Sequence, residues 1–329
     1  MEKLNRLIEG WVREKQIPSA VLDIQVKNKK RVQAAYGSAF LSTVFDVASL
    51  TKVTVTLPAI MLLAQASKLS LRDPVQRYIP EFRHANVTIG HCLQHTSGLP
   101  ATLPDYRDRF SRKDVKQAIF SQELDFEPGT QVQYSDLGMI LAGWIVERLS
   151  GKSLEDFAKE NIFAPLGLTC RFNPPDNWKD RIAPTEWDGS KYIQGEVHDE
   201  TCYRLGGVSG SAGLFSTAED LARYARCWLY PERHSFLSRS WVDACMQFPM
   251  SGRGLGWQVW DGVEPALSCG AKWTIGSFGH TGFTGTSLWI DPMREIIVVF
   301  LTNAVHYGRN NNIKQLRLIL HEAVLDALI

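Results

Sequence analysis

Apolar residues along this chain keep helical spacing at the start, alternate with polar ones soon after, and return to each habit near the end. Leu4, Leu7, Ile8, Trp11 and Val12 share one face of a helix predicted within residues 1–16. Residues 20–26 and 31–36 alternate, and the Lys/Asn turn between them predicts a strand pair. From about residue 49 to 67 apolar positions occur throughout, which predicts a buried helix, with Pro58 bending it or costing a hydrogen bond. Residues 71–205 are rich in helical periodicity and Pro/Gly punctuation, and 114–122, 137–149 and 154–163 are the clearest helices. Thr88 suits the cap of a short helix through His95, stopped near Gly98-Leu99-Pro100. Strands are predicted again at 286–290 and 296–301, around the turn Asp291-Pro292-Met293-Arg294. Residues 313–328 read as an amphipathic helix burying Leu316, Ile319, Leu320, Ala323 and Val324.

Strands at both ends with helices between them predict an α+β architecture. Its sheet domain would take residues 1–72 and 205–329, its mainly helical insert 73–204, with the active site in the cleft between them. Composition narrows the function. With 44% hydrophobic and 22% charged residues the chain has an ordinary globular balance, and a net charge of +1 argues against nucleic-acid or anionic-membrane partners. The six cysteines (Cys92, Cys170, Cys202, Cys227, Cys245 and Cys269) are far apart with no CxxC pair, which fits reduced thiols better than a zinc cage or disulfide scaffold. Residues 1–16 lack a signal peptide's apolar core, and the apolar stretch 57–66 is too short to span a bilayer. A cytoplasmic chain is the expectation, and a leader removed upstream would reverse it. No feature specifies an oligomeric state.

Candidate chemistry begins at Ser49-Leu50-Thr51-Lys52. Residues three apart share a helix face, so the lysine amine can reach the serine hydroxyl. A serine becomes a useful nucleophile only when a neighbouring base takes its proton, and a desolvated lysine can be that base. Alone, the motif is weak, and a helix start with a capping serine and a solvated lysine is the better reading of it. Tyr134-Ser135-Asp136 follows Glu127-Pro128-Gly129-Thr130 and precedes a helix, which puts Tyr134 on a loop where its phenol could relay a proton. The same triplet also reads as a helix cap. His280-Thr281-Gly282 precedes a strand; the amide of Phe283 after it could join that of Ser49 in an oxyanion hole, with Gly282 allowing close approach. The plainer reading is a glycine turn into an edge strand.

Ser-x-x-Lys, then a Tyr-Ser-Asn variant, then Lys-Thr-Gly or His-Thr-Gly, in that order, is the pattern of serine β-lactamases and penicillin-binding proteins. The chain resembles that family, most closely the class C branch with its family VIII-type esterase and D-amino-acid peptidase relatives. Further matching stretches are 68–74, His95-Thr96-Ser97-Gly98-Leu99-Pro100, 127–130, 162–168 and 213–217. The resemblance implies a beta-lactamase-like fold, an antiparallel sheet flanked by helices with an inserted helical lobe. It implies a serine hydrolase without cofactor or metal, acting through an acyl-enzyme on a small ester, peptide or lactam. Ser49, Lys52 and Tyr134 would be catalytic, the amides of Ser49 and Phe283 the oxyanion hole, and Asp136, His280, Thr281 and Gly282 substrate-binding.

Two departures from the class C pattern matter. Asp136 stands where asparagine is usual, and an ionised aspartate accepts hydrogen bonds but cannot donate one. His280 stands where lysine is usual, and histidine is mostly neutral at pH 7. Both favour esters or peptides over lactams. A β-lactamase proper and a non-catalytic binder of cell-wall peptides are the rivals; a pure binder has no need of a full proton relay. His91 and His95 could share a helix face as zinc ligands, but Cys92 stands where a metalloprotease carries its glutamate. Val197-His198-Asp199-Glu200 reads as a solvated loop by default, with a place on the rim of the site as the sharper alternative.

Overall fold

This computed structural model describes all residues except 112, 248, 249, 251, 264 and 329. Strands β1 (Ser19–Val26), β2 (Lys29–Gly37), β5 (Gln258–Val259), β6 (Phe278–Thr281), β7 (Ser287–Asp291) and β8 (Ile296–Thr302) form one sheet in the order β2-β1-β8-β7-β6-β5. Every neighbouring pair is antiparallel. A two-stranded ribbon pairs β3 (Phe45–Asp46) with β4 (Phe215–Ser216).

The sheet is covered on both faces, which explains why β8 is apolar at nearly every position rather than alternating. Ala20, Leu22, Ile24, Val298 and Phe300 pack with the N-terminal helix Glu2–Arg13 and the C-terminal helix Ile313–Leu328. Val21, Val299 and Leu301 point the other way, into the larger core. There they meet the helix Ala218–Leu229 and the helices of the middle of the chain. The architecture is therefore the α+β one expected, an antiparallel sheet flanked by helices.

The buried helix from residue 50 carries a wide turn. Lys52–Thr56 winds as a π-helix before the α-helix Leu57–Gln65. Pro58 has no N–H to give to the carbonyl of Val53 one wide turn back, and the Tyr224 hydroxyl donates to that carbonyl instead. Pro58 thus costs the helix a bond that the core replaces. Strands β5 and β6 were not predicted: they are short, and Gly279 breaks any β pattern. That glycine is needed because an added Cβ would lie 2.3 Å from the ring of Trp289.

The C-terminal helix buries Leu316, Leu320 and Val324 as expected, but Ile319 is exposed. Arg317 and His321 take the inner face in its place. They are inside because they have partners: Arg317 donates to the carbonyls of Gly282 and Gly285, and His321 Nε2 pairs with the Ser287 hydroxyl at 3.1 Å. Among the described residues all six cysteines are free and buried, and no helix is long and apolar enough to cross a membrane.

Candidate active site

Ser49 sits between β3 and the buried helix, directly after Ala48, which holds a left-handed φ of 48°. Few residues with a β-carbon adopt that conformation, and it costs of order 1–3 kcal/mol unless the surroundings enforce it. Here the Asp46 carboxylate accepts from the Ala48 N–H at 2.8 Å, and the amides of Leu50 and Thr51 close turns onto Val47 and Ala48. The tight turn lifts Ser49 to the head of the helix. Lys52 lies one turn on and wholly buried.

The three donors of an ammonium group all find acceptors at Lys52. Nζ is 2.8 Å from Ser49 Oγ, 2.7 Å from the Ser211 carbonyl, and 2.7 Å from Asp136 Oδ1 in an ion pair. Burial alone would push the lysine pKa down, but Asp136 and then Tyr134 overcome it and the net shift is upward. Lys52 is thus a cation at rest, unlike the desolvated neutral base expected from its apolar surroundings. Asp136 corrects the expectation too. Its carboxylate is used by Lys52 and is absent from the lining of the cavity at Ser49.

Tyr134 stands with Ser49 and Lys52. Its ring centroid is 5.1 Å from Lys52 Nζ. Burial pushes the phenol pKa up, Lys52 and a hydrogen bond with Ser49 draw it down, and the result remains raised. The segment that bears Tyr134 has no regular structure, and the helix Asp136–Ser150 begins immediately after it.

The third wall is the segment from His280 to Thr286. Thr284 donates its hydroxyl to the Asp46 carbonyl at 2.7 Å, and Thr286 to the Val47 carbonyl at 3.1 Å. A Cβ on Gly282 would fall 2.4 Å from the Val47 carbonyl oxygen, so only glycine lets this segment lie so close to the turn before Ser49. Close approach to protein backbone, rather than to a substrate alone, accounts for this glycine. Ser49 and Phe283 both line the cavity, and their amides donate to no acceptor among the described residues.

His280 Nδ1 donates to the Thr281 carbonyl at 2.8 Å, which leaves Nε2 as a buried acceptor with no described partner. Burial, then the charges of Arg253 and Lys52, hold its pKa well below the usual value, so the ring is neutral. The cavity itself is about 640 Å³ and is bordered by Ser49, Tyr134, Thr281, Gly282 and Phe283. Its described lining includes Arg253, Arg309, Lys314 and Arg317 and no carboxylate. Arg309 is paired with Glu186 and Glu200, and Arg317 with backbone carbonyls. Arg253 differs: its guanidinium lies 5.3 Å from the Tyr134 centroid, its Nη1 is buried with no hydrogen-bond partner among the described residues, and no described carboxylate offsets its charge. A larger cavity of about 970 Å³ borders Arg109, Tyr203 and Arg204 but not Ser49.

The sequence pattern missed Arg253, Arg309, Arg317 and Ser211. The first lies in a Gly-rich loop and the last contributes only a carbonyl, so neither leaves a type signature; Arg317 was detectable as a cation on an apolar helix face. The 197–200 segment is buried for the most part rather than a solvated loop. His198 stacks on Phe283 at 5.6 Å and pairs with Glu186, while Asp199 caps the next short helix. Among the described residues no group of His, Cys, Asp and Glu could hold a metal ion. His91 closes the capping box with Thr88, and His95 faces Tyr134.

Comparison with known proteins adds independent findings. The family model described as Beta-lactamase matches residues 4–321. A protein of Escherichia coli (strain K12) named "Putative D-alanyl-D-alanine carboxypeptidase" is 30% identical over 367 residues, covering 93% of this chain and 83% of that one. Among solved structures, the octameric penicillin-binding protein homologue from Pyrococcus abyssi is similar with a TM-score of 0.77 at 22% identity, over 99% of this chain and 77% of that one. EstCE1, titled a hydrolase with promiscuous acyltransferase activity, is similar with a TM-score of 0.77 at 21% identity, over 96% and 98% of the two chains.

Proposed function

This chain belongs to the beta-lactamase family of serine hydrolases, and from that premise we propose that Ser49 is its nucleophile in an acyl-enzyme reaction on a peptide or ester. The observation that carries the reading is the meeting of one hydroxyl, one buried ammonium and one phenol beside a cavity. Because Lys52 already gives its protons to Ser49, Ser211 and Asp136, the serine proton goes to Tyr134 in its phenolate form. Oγ attacks the substrate carbonyl carbon, and the amides of Ser49 and Phe283 receive the oxyanion. Tyr134 then passes the proton to the departing nitrogen or oxygen as its bond to carbon breaks. A water enters, gives a proton to Tyr134 and attacks the acyl carbon; Tyr134 returns that proton to Ser49 Oγ as the acyl bond breaks, which releases the acid and restores the serine hydroxyl and the phenolate. Lys52 remains a cation that lowers the cost of the phenolate.

The charge of the cavity supports one kind of leaving group. Arg253 lies beside the group proposed to protonate the departing atom, and among the described residues it has no carboxylate partner. The neutral His280 offers Nε2 as an acceptor. An amino acid leaving through its nitrogen supplies an N–H and a carboxylate together. The similarity to named D-alanyl-D-alanine carboxypeptidases points the same way.

One panel tests the proposal: p-nitrophenyl esters, D-alanyl peptides with free and with amidated C-termini, and nitrocefin, each with wild type and Ser49→Ala. We expect ester turnover, little nitrocefin turnover, and preference for the free C-terminus by at least about tenfold in kcat/KM. Ser49→Ala should lose at least about a thousandfold in kcat and all labelling by a fluorophosphonate. Labelling or turnover that survives Ser49→Ala would end the proposal.

A further inference from the structure

Tyr134 has a positional requirement that its own segment does not meet. It lies in irregular backbone, yet its hydroxyl must stay within reach of Ser49 and Lys52. The restraint comes from residues 95–101, which run alongside residues 125–136. The Asp125 N–H donates to the Gly98 carbonyl at 2.7 Å, Gly129 to Thr96 at 2.8 Å, and Asp136 to Ala101 at 2.9 Å. The N–H groups of the residues on either side of the tyrosine both go to one residue. Gln133 donates its N–H to the His95 carbonyl at 2.8 Å, and Ser135 donates its N–H to His95 Nδ1 at 3.1 Å.

We propose that His95 is the positioning residue for Tyr134, grasping the peptide groups on either side of it while its ring backs the phenol. The ring centroids are 4.5 Å apart at 35°. The contact with Ser135 fixes the tautomer, since Nδ1 accepts and therefore carries no proton, which places the proton on Nε2. The imidazole must be neutral for this grasp to exist. Complete burial together with the charges of Arg253 and Lys52 keeps it so. The backbone is set for the task as well. His95 ends the helix Ile89–Gln94 in the left-handed conformation, φ 57° and ψ 37°, which turns its carbonyl towards Gln133 and its side chain towards Ser135. Histidine, asparagine and aspartate enter that region more readily than other residues with a β-carbon.

This inference rests on the proton-transfer role given to Tyr134 above, so its test needs one readout of geometry apart from turnover. His95→Asn keeps an acceptor and tolerates the left-handed backbone, whereas His95→Phe keeps a ring and loses the acceptor. Amide exchange at Ser135, followed by NMR, reports the grasp whatever reaction the enzyme performs. We expect exchange at least about tenfold faster in His95→Phe and near wild type in His95→Asn. In turnover, we expect His95→Phe to lose on the order of ten- to a hundredfold in kcat with KM within about twofold, and His95→Asn to recover most of it. The pH at which activity rises should move upward in His95→Phe, because a displaced phenol loses the support of Lys52. If the phenylalanine variant does not fold, the smaller His95→Met removes the same acceptor. Wild-type exchange at Ser135 in both acceptor-free variants, or an equal kcat loss in His95→Asn and His95→Phe, would overturn the inference. Loss of all Ser49-dependent turnover in wild type would instead overturn the proposed function and leave the exchange result to decide on His95.

Discussion

Asp136 is the residue whose chemistry most changes what the site can do. It raises the pKa of Lys52, against the downward push of burial, and it also raises that of Tyr134. With Lys52 an ammonium and Tyr134 a phenol, neither can take the serine proton, so the proposed mechanism requires a working form that has lost one proton from the pair. Asp136 therefore delays the working form to higher pH. In Asp136→Asn the carboxylate is gone, both pKa values fall, and kcat/KM should begin its rise at lower pH, by on the order of one unit. A pH–rate profile checks this, and an unmoved or raised limb would contradict the assignment. The aspartate itself was legible in the sequence as a departure from the expected asparagine. Its partner was not, because only the folded chain shows that the carboxylate turns under the site towards Lys52 rather than into the cavity. His95 followed the same course: visible as a histidine near a helix end, but assignable only once Ser135, 40 positions away, is seen to donate to it.

Among the elements, the long and strongly patterned ones were legible and the short ones were not. The helices predicted at 137–149 and 313–328 appear as Asp136–Ser150 and Ile313–Leu328, because apolar periodicity over many residues has one packing solution. The helix expected at 154–163 is split into Leu154–Ala158 and a π-turn Lys159–Phe163. Strand β6, which carries His280, was missed since its four residues hold no β pattern. The C-terminal helix both lines the cavity, through Lys314 and Arg317, and holds the backbone of its third wall. Its Arg317 donates to the carbonyls of Gly282 and Gly285 on either side of Phe283, and burial brings the guanidinium pKa down to about 9. Arg317→Leu leaves the Gly285 carbonyl without a donor and the Gly282 carbonyl with the Gly285 N–H alone, and loosens the loop that carries the Phe283 amide. If the Phe283 amide has the oxyanion role proposed for it, we expect a kcat loss of about tenfold, smaller than the hundredfold or more for removing such a donor outright, with a lowered Tm. A melting shift with kcat intact would limit Arg317 to stability, and a KM increase alone would assign it to substrate binding.

At the scale of the whole molecule, the sheet joins the two ends of the chain: β1 near the N-terminus lies between β2 and β8, the last strand. That closure was legible as strand signals at both ends, but it carries a charged residue at its centre that alternation alone does not explain. Asp23 in β1 is fully buried, with its carboxylate accepting from Gln25 at 3.1 Å and Gln33 at 3.2 Å. Burial raises its pKa to about 6, the Gln25 bond and the charges of Lys30 and Arg226 opposing it and that of Glu219 adding to it. The sign of the linkage follows. The unfolded carboxyl ionises near 4 and the folded one near 6, so the folded state prefers the proton, and stability falls as pH rises through that window. Above it the loss amounts to roughly 2–3 kcal/mol. Asp23→Asn removes the titration and preserves the shape; it gives up one of the two oxygens that accept from Gln25 and Gln33, a cost of about 1 kcal/mol that is smaller than the gain. The variant should therefore melt above wild type at pH 7–8, with the gap closing as pH falls towards 4. Melting curves across that range decide the matter, and a gap that is absent at pH 8 or widens in acid would show that the buried carboxylate is held in its charged form by the fold.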